Sequence, residues 1–173
     1  MKSKSTRLTS TSYALLALLH QLGEGTPYDI KQAIEMSIEN FWPVPHTTAY
    51  DEPARLAEAG YLAVRQEPGG RRRKSYSLTD KGRKALAAWA EDPVASPPQL
   101  RDEVVLKVFA GADPGPLVEE REAWHRKKLE ELQGYLDEVR GAESWRPSER
   151  TLIAGVAYHN KMLELLDLMR GRS

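Results

Sequence analysis

Four consecutive cations, Arg71, Arg72, Arg73 and Lys74, follow Gly69-Gly70 and lead into Ser75-Tyr76-Ser77-Leu78-Thr79. Guanidinium and ammonium groups this close together are donors for phosphate oxygens, the basis of sequence-independent attraction to nucleic acid. A solvated charged loop is the other reading of an isolated basic tetrad. A second group lies upstream, where His46, Thr47, Thr48 and Tyr50 stand at the start of an expected helix. Polar side chains in that position meet base edges or phosphates, and helix capping is the alternative role for the two threonines. Lys31 and the arm Lys2, Lys4 and Arg7 add further cations. Catalytic chemistry has no comparable foothold. His20, His46, His125 and His159 have no metal-ligand spacing. No glycine-rich phosphate loop follows a strand, and there is no nucleophile elbow. Glu119-Glu120 and Glu130-Glu131 lie among Arg and Lys at four-residue spacing, as on a solvated helix face. The residues give no basis for an enzyme and call for no metal or cofactor.

The elements that must position these groups follow from punctuation and periodicity. Thr9-Ser10-Thr11-Ser12 offers N-caps before a leucine-rich run, Tyr13 to Leu22, which Gly23 ends. Thr26-Pro27 opens a second helix to about Asn40, with Ile30, Ile34 and Ile38 four apart. Phe41-Trp42-Pro43-Val44-Pro45 forms a stiff turn. A third helix starts near His46-Thr47-Thr48 and ends at Gly60. Residues 61–66 read as a strand with Leu62 and Val64 on one face. Its partner places Lys74, Tyr76 and Leu78 on one face and Ser75 and Ser77 on the other. Thr79-Asp80 caps a fourth helix reaching about Trp89. Helix, helix, turn, helix, two-stranded wing, helix is the order of a winged helix-turn-helix domain.

Asp92-Pro93-Val94-Ala95-Ser96-Pro97-Pro98 is a linker, so the expected division is a domain over residues 1–91, a linker over 92–98 and a second domain over 99–173. The second domain reads as all helical. A short helix ends at Gly111, Asp113-Pro114-Gly115-Pro116 breaks the chain, and a long helix runs from about Leu117 to Arg140. A last helix, residues 148–170, carries two apolar seams. Leu152, Val156, His159, Leu163 and Leu166 form one, and Tyr158, Met162, Leu165 and Met169 the other. A surface helix on a monomer needs one apolar stripe. The expected subunit interface therefore comprises Leu132, Leu136, Leu152, Val156, His159, Leu163 and Leu166, with packing inside the same chain as the alternative.

Net charge is zero, yet residues 1–90 hold 13 Lys/Arg against 9 Asp/Glu and residues 91–173 hold 12 against 16. The basic front half is the candidate for nucleic acid. The chain has no cysteine, which excludes disulfides, thiolate metal sites and a cysteine nucleophile. Its longest apolar run, Tyr13 to Leu19, is seven residues, too short for a membrane span. The segment after it is a poor signal-peptide cleavage region, so the expectation is a cytoplasmic protein with no membrane partner.

Leu8 to Leu16, Tyr28-Asp29-Ile30-Lys31, Phe41-Trp42-Pro43-Val44 with His46, then Tyr50, Arg55-Leu56 and Gly60-Tyr61-Leu62 together resemble the PadR family of transcriptional regulators. Arg71 to Thr79 followed by Gly82 continues the likeness, which covers roughly residues 8–90. The rest is similar in architecture to the family's larger subgroup, with its long helical C-terminal domain. The resemblance implies a mainly α fold, an N-terminal winged helix-turn-helix domain with a two-stranded wing and an all-α dimerisation domain. It also implies a homodimer that binds double-stranded DNA at a palindromic operator as a repressor, often released by a small molecule. The DNA-binding residues are then expected to be Lys31, His46, Thr47, Thr48, Tyr50, Arg55, Arg71, Arg72, Arg73 and Lys74. Trp89, Trp124 and Trp145 are the candidates for contact with a small aromatic effector, packing being their other reading.

One element departs from the family pattern. Asp51 stands where a basic residue is usual, and Pro53 where an apolar helix former is usual. Asp51, Glu52 and Glu58 against Arg55 leave the third helix acidic. Pro53 removes a backbone hydrogen bond and should kink the helix. The alternative function is therefore a dimeric interaction or ligand-binding module with weakened operator recognition.

Overall fold

A computed structural model describes residues 7–39, 41–66, 73–93, 97, 100–141 and 149–171. They fall into two compact units, one within residues 1–94 and one within residues 95–173.

The first unit begins with α1 (Ser10–Leu22). Thr9 and Ser12 cap it reciprocally, each side chain accepting from the other's backbone N–H. Gly23, at φ 76°, closes it with its N–H on the Leu19 carbonyl. Thr26 and Asp29 repeat the reciprocal cap on α2 (Pro27–Ser37), with Pro27 where a helix has no N–H to lose. α3 (Thr48–Glu58) runs as one helix through Pro53, whose ring is buried. It ends in a Schellman motif: Gly60, at φ 77°, donates to the Ala57 carbonyl and Tyr61 to the Leu56 carbonyl. Lys81 adds its ammonium to the Ala59 carbonyl at 2.6 Å, a cation at the negative end of the helix dipole.

β2 (Leu62–Gln66) and β3 (Lys74–Leu78) pair antiparallel, Leu62 opposite Leu78 and Gln66 opposite Lys74. Tyr76 and Leu78 turn inward as the alternation requires, whereas Val64 stays half exposed. The sheet has three strands where the sequence predicts two. β1 (Glu24–Gly25) pairs with the far side of β3, giving the order β1-β3-β2. Two residues after a helix-ending glycine leave no alternation to read, so this strand follows from packing alone. Thr79 then caps α4 (Asp80–Glu91), accepting from the Gly82 N–H and donating to the Gly60 and Tyr61 carbonyls. The core joins α1 (Leu15, Leu16, Leu19) to Ile30 of α2, Leu56 of α3 and Tyr76 of the sheet.

The second unit is helical, with α5 (Glu103–Phe109), α6 (Pro114–Gly141) and α7 (Glu149–Met169). Pro114 and Pro116 do not break the chain as expected. They occupy the first turn of α6, where the N–H groups have no intrahelical acceptor and proline costs nothing. Arg140 meets Glu149, Leu132 lies against Gly155, His125 meets His159, and Glu122 meets Arg170. The pairings descend α6 as they ascend α7, so the two helices run antiparallel. Among the described residues no helix is long and apolar enough to cross a membrane.

That packing corrects one expectation. Leu132, Leu136, Leu152, His159 and Leu166, expected at a subunit interface, are buried within one chain, and Val156 packs on the same cluster. Leu132, Leu136 and Val139 of α6 pack on Leu152 of α7 because each helix buries its apolar stripe against the nearest available one. Leu163, beside them on α7, is partly exposed. The apolar surface left open lies elsewhere, chiefly Leu100, Leu106 and Phe109 at α5 and Ile153, Tyr158 and Leu168 on α7.

Candidate nucleic-acid interface

The N-terminal end of α3 stands free. A tight turn delivers it: Thr48 donates to the Pro45 carbonyl, Ala49 to His46 and Tyr50 to Thr47. Thr47 makes no side-chain cap, so the capping role does not occupy its hydroxyl. His46, Thr47 and Tyr50 are exposed, Tyr50 by half, and Thr48 is half-buried. Ala49, Pro53 and Leu56 face the core, so the polar and apolar sides of the helix separate cleanly.

α2 contributes a neighbouring patch. Lys31 pairs with Glu35 at 2.9 Å, and that carboxylate raises the ammonium pKa above its usual range. His46 Nδ1 lies 4.0 Å from the same Glu35. Tyr28, exposed on α2, accepts from Gln32 at 3.3 Å. Tyr28 and Gln32 were not among the residues expected to meet DNA. Their position is apparent only once α2 is seen to expose the side opposite Ile30 and Ile34.

Arg73 and Lys74 are exposed where β3 begins. Arg71 and Arg72 lie outside the described residues. The outer face of the sheet is cross-braced, with Glu24 of β1 accepting from Ser75 of β3 and from Arg65 of β2 at 2.8 Å. Those two donors hold the Glu24 carboxyl below its ordinary pKa.

Arg55 sits differently from its neighbours. Its Nε donates to Glu52 Oε2 at 2.6 Å and its Nη2 donates to Ser12 Oγ at 2.9 Å and to Glu52 Oε1. Ser12 donates in turn to Glu52 Oε1 at 2.7 Å. Burial pushes the Glu52 carboxyl up, but the bonds from Arg55 and Ser12 outweigh it and hold the group below its usual value. The three-residue spacing of Glu52 and Arg55 was visible in the sequence. The partner on α1, forty residues away, was not.

The tryptophans have separate surroundings. Trp89 of α4 stacks on Tyr13 of α1, ring centroids 4.8 Å apart and planes nearly parallel. Trp124 of α6 is half exposed and meets His125 edge-on. It also lines a cavity of about 260 Å³ between α5 and α6, with Arg121, Lys107 and Leu117. Trp145 lies outside the described residues. Among the described residues, no group of three or more His, Asp or Glu could hold a metal ion.

Residues 15–88 match the model of the transcriptional regulator PadR-like family. The negative transcriptional regulator PadR of Bacillus subtilis (strain 168) is 28% identical over 134 residues, covering 73% of each chain. In the fold, the chain is similar to a crystal structure of B. subtilis PadR in complex with operator DNA. The TM-score is 0.79 at 22% identity, over 96% of this chain and 99% of that one. B. subtilis PadR has also been crystallised with p-coumaric acid. The Vibrio cholerae virulence activator AphA gives a TM-score of 0.67 at 24% identity, over 92% of this chain and 95% of that one. Residues 15–88, with the uncapped α3 and the β2–β3 wing, are the part of this chain that is similar to the PadR-like family of transcriptional regulators.

Proposed function

We propose that the protein is a homodimeric repressor that binds a palindromic operator in double-stranded DNA and is released by a small aromatic effector. The observation that carries the DNA reading is the free N-terminal end of α3, where His46, Thr47 and Tyr50 stand exposed in the unit that also exposes Arg73 and Lys74. A helix end of this kind enters a major groove while neighbouring cations hold the phosphates. In this reading Arg71, Arg72, Arg73 and Lys74 supply most of the attraction, Lys31 exchanges Glu35 for phosphate, and α3 contributes base contacts.

The dimer is supported by apolar surface that one chain leaves open. Phe109 is 87% exposed on α5 with Leu106 one turn before it, and Leu100 is exposed ahead of the helix. Large apolar side chains grouped in this way belong against a second copy. The effector role falls to the cavity beside Trp124, whose lining offers an aromatic ring face together with Lys107 paired to Glu103, Arg121 and Glu120. The operator and p-coumaric acid complexes of the B. subtilis relative favour the same assignment. Repression follows the named function of that relative, and the likeness to an activator makes the sign of regulation a separate question for a reporter assay. Footprinting of the DNA upstream of the protein's own coding sequence tests the reading: two protected half-sites support it, and no protection by folded dimer at low salt defeats it.

A further inference from the structure

The only cation of α3 among residues 48–58 is Arg55, and its hydrogen bonds all run inward. Glu52 and Arg55 form a two-pronged pair on one side of the helix, and both reach Ser12 of α1. Ser12 is fully buried and has a single proton to give, which goes to Glu52. Its oxygen accepts from Arg55 and from the Thr9 N–H at 2.9 Å, so the same atom caps α1 and docks α3. The Thr9 hydroxyl lies 3.0 Å from the same oxygen, either group being able to donate, so Ser12 joins the start of α1 to Glu52 and Arg55 in one network.

We propose that Glu52 and Arg55 are positioning residues, which lock the DNA-reading end of α3 to the start of α1 and set the angle at which His46, Thr47 and Tyr50 are presented. The inference rests on the reading of the protein as an operator-binding regulator. It narrows the meaning of the acidic third helix, since Glu52 and Arg55 neutralise each other while Asp51 and Glu58 stay exposed. Glu52 does not face phosphate, because it is spent on Arg55, and Arg55 does not hold phosphate, because it is spent on Glu52. α3 then reads DNA with uncharged side chains and leaves phosphate to the wing. The pair matters more here than in an unbroken helix, since Pro53 between them donates no backbone bond and an anchor on each side holds that turn. Arg55 keeps 38% of its side chain in solvent, so its hydrogen bonds, and not burial, keep it from phosphate.

Three variants test this by fluorescence anisotropy, with a duplex from the region upstream of the gene and a scrambled duplex of the same composition. Glu52→Gln should lower the ratio of promoter to scrambled affinity roughly tenfold, the worth of a charge-assisted hydrogen bond. It also frees Arg55, so the log–log salt slope on scrambled DNA should steepen by about one. Arg55→Lys keeps the charge and loses the fork, and should lower the same ratio with no change in slope; it decides the matter if circular dichroism shows Glu52→Gln unfolded. Arg55→Ala should leave the slope unchanged. An unaltered ratio in folded Glu52→Gln or Arg55→Lys overturns the inference, as does a slope flattened by about one in Arg55→Ala, which would place the guanidinium on phosphate. Wild-type protein that fails to distinguish the two duplexes defeats the regulator reading itself, an outcome separate from failure in the variants alone.

Discussion

Gly82 of α4 has no room for a side chain, because a Cβ there would lie 2.2 Å from the Tyr61 carbonyl oxygen. The contact is with backbone, which cannot step aside without moving the end of α3 that Tyr61 and Gly60 close. Gly82→Ala should therefore cost about 1–3 kcal/mol, read as a lower urea midpoint of the DNA-binding unit; an unchanged midpoint would contradict this packing. His125 and His159 make a second constraint at this scale. They are 2% and 1% exposed, share one hydrogen bond of 2.8 Å between their Nδ1 atoms, and have no partner for either Nε2 among the described residues. Burial lowers the His125 pKa from 6.5 to about 4, with His159 and Arg121 adding to the shift and Asp102 opposing it. Burial, then Lys128, lowers His159 too. Both rings are neutral when folded and take up protons when unfolded, so their contribution is intact above pH 6.5 and is lost as pH falls toward 4. The loss should reach about 3 kcal/mol for His125. Urea melts at stepped pH should show the fall in wild type and a weaker one in His125→Phe/His159→Phe. Equal acid sensitivity would remove the pair as its cause.

Elements whose signals are local were legible in the sequence. Thr9 with Ser12, Thr26 with Asp29, Gly23 and Gly60 fix where α1, α2 and α3 begin or end, because caps act on neighbouring backbone groups. The alternation of Tyr76 and Leu78 likewise gave the buried face of β3. What depends on residues distant in the chain was not legible. β1 is a strand only because β3 passes beside it, and the role of Arg55 depends on Ser12. The α7 seam was read correctly as apolar but assigned to a second chain, since periodicity reports that a face is buried and not what covers it. The wing is the element on which phosphate attraction should rest. Replacing Arg71, Arg72 and Arg73 together by alanine should weaken binding to promoter and scrambled DNA alike and flatten the salt slope by about 5 for a dimer with two wings. A slope left as in wild type would rule the wing out as the phosphate clamp.

The whole molecule divides its charge, with an excess of four cations in residues 1–90 and of four anions in residues 91–173. In the proposed reading the basic first half of the sequence attracts DNA and the acidic second half does not. The open apolar surface of α5 gives the second unit its own task. Light scattering should return about twice the 19.5 kDa chain mass, and Leu106→Asp with Phe109→Asp should return a monomer. A wild-type monomer at micromolar concentration would contradict the dimer. Two copies would carry two α3 ends to half-sites about one helical turn apart, ~34–36 Å. The most direct test of this account is a footprint of the purified protein on the DNA upstream of its own coding sequence, taken across a salt series. The expected result is a pair of symmetric protected half-sites about ten base pairs apart, centre to centre, fading steeply as salt rises. A folded protein that protects no site at low salt would contradict it.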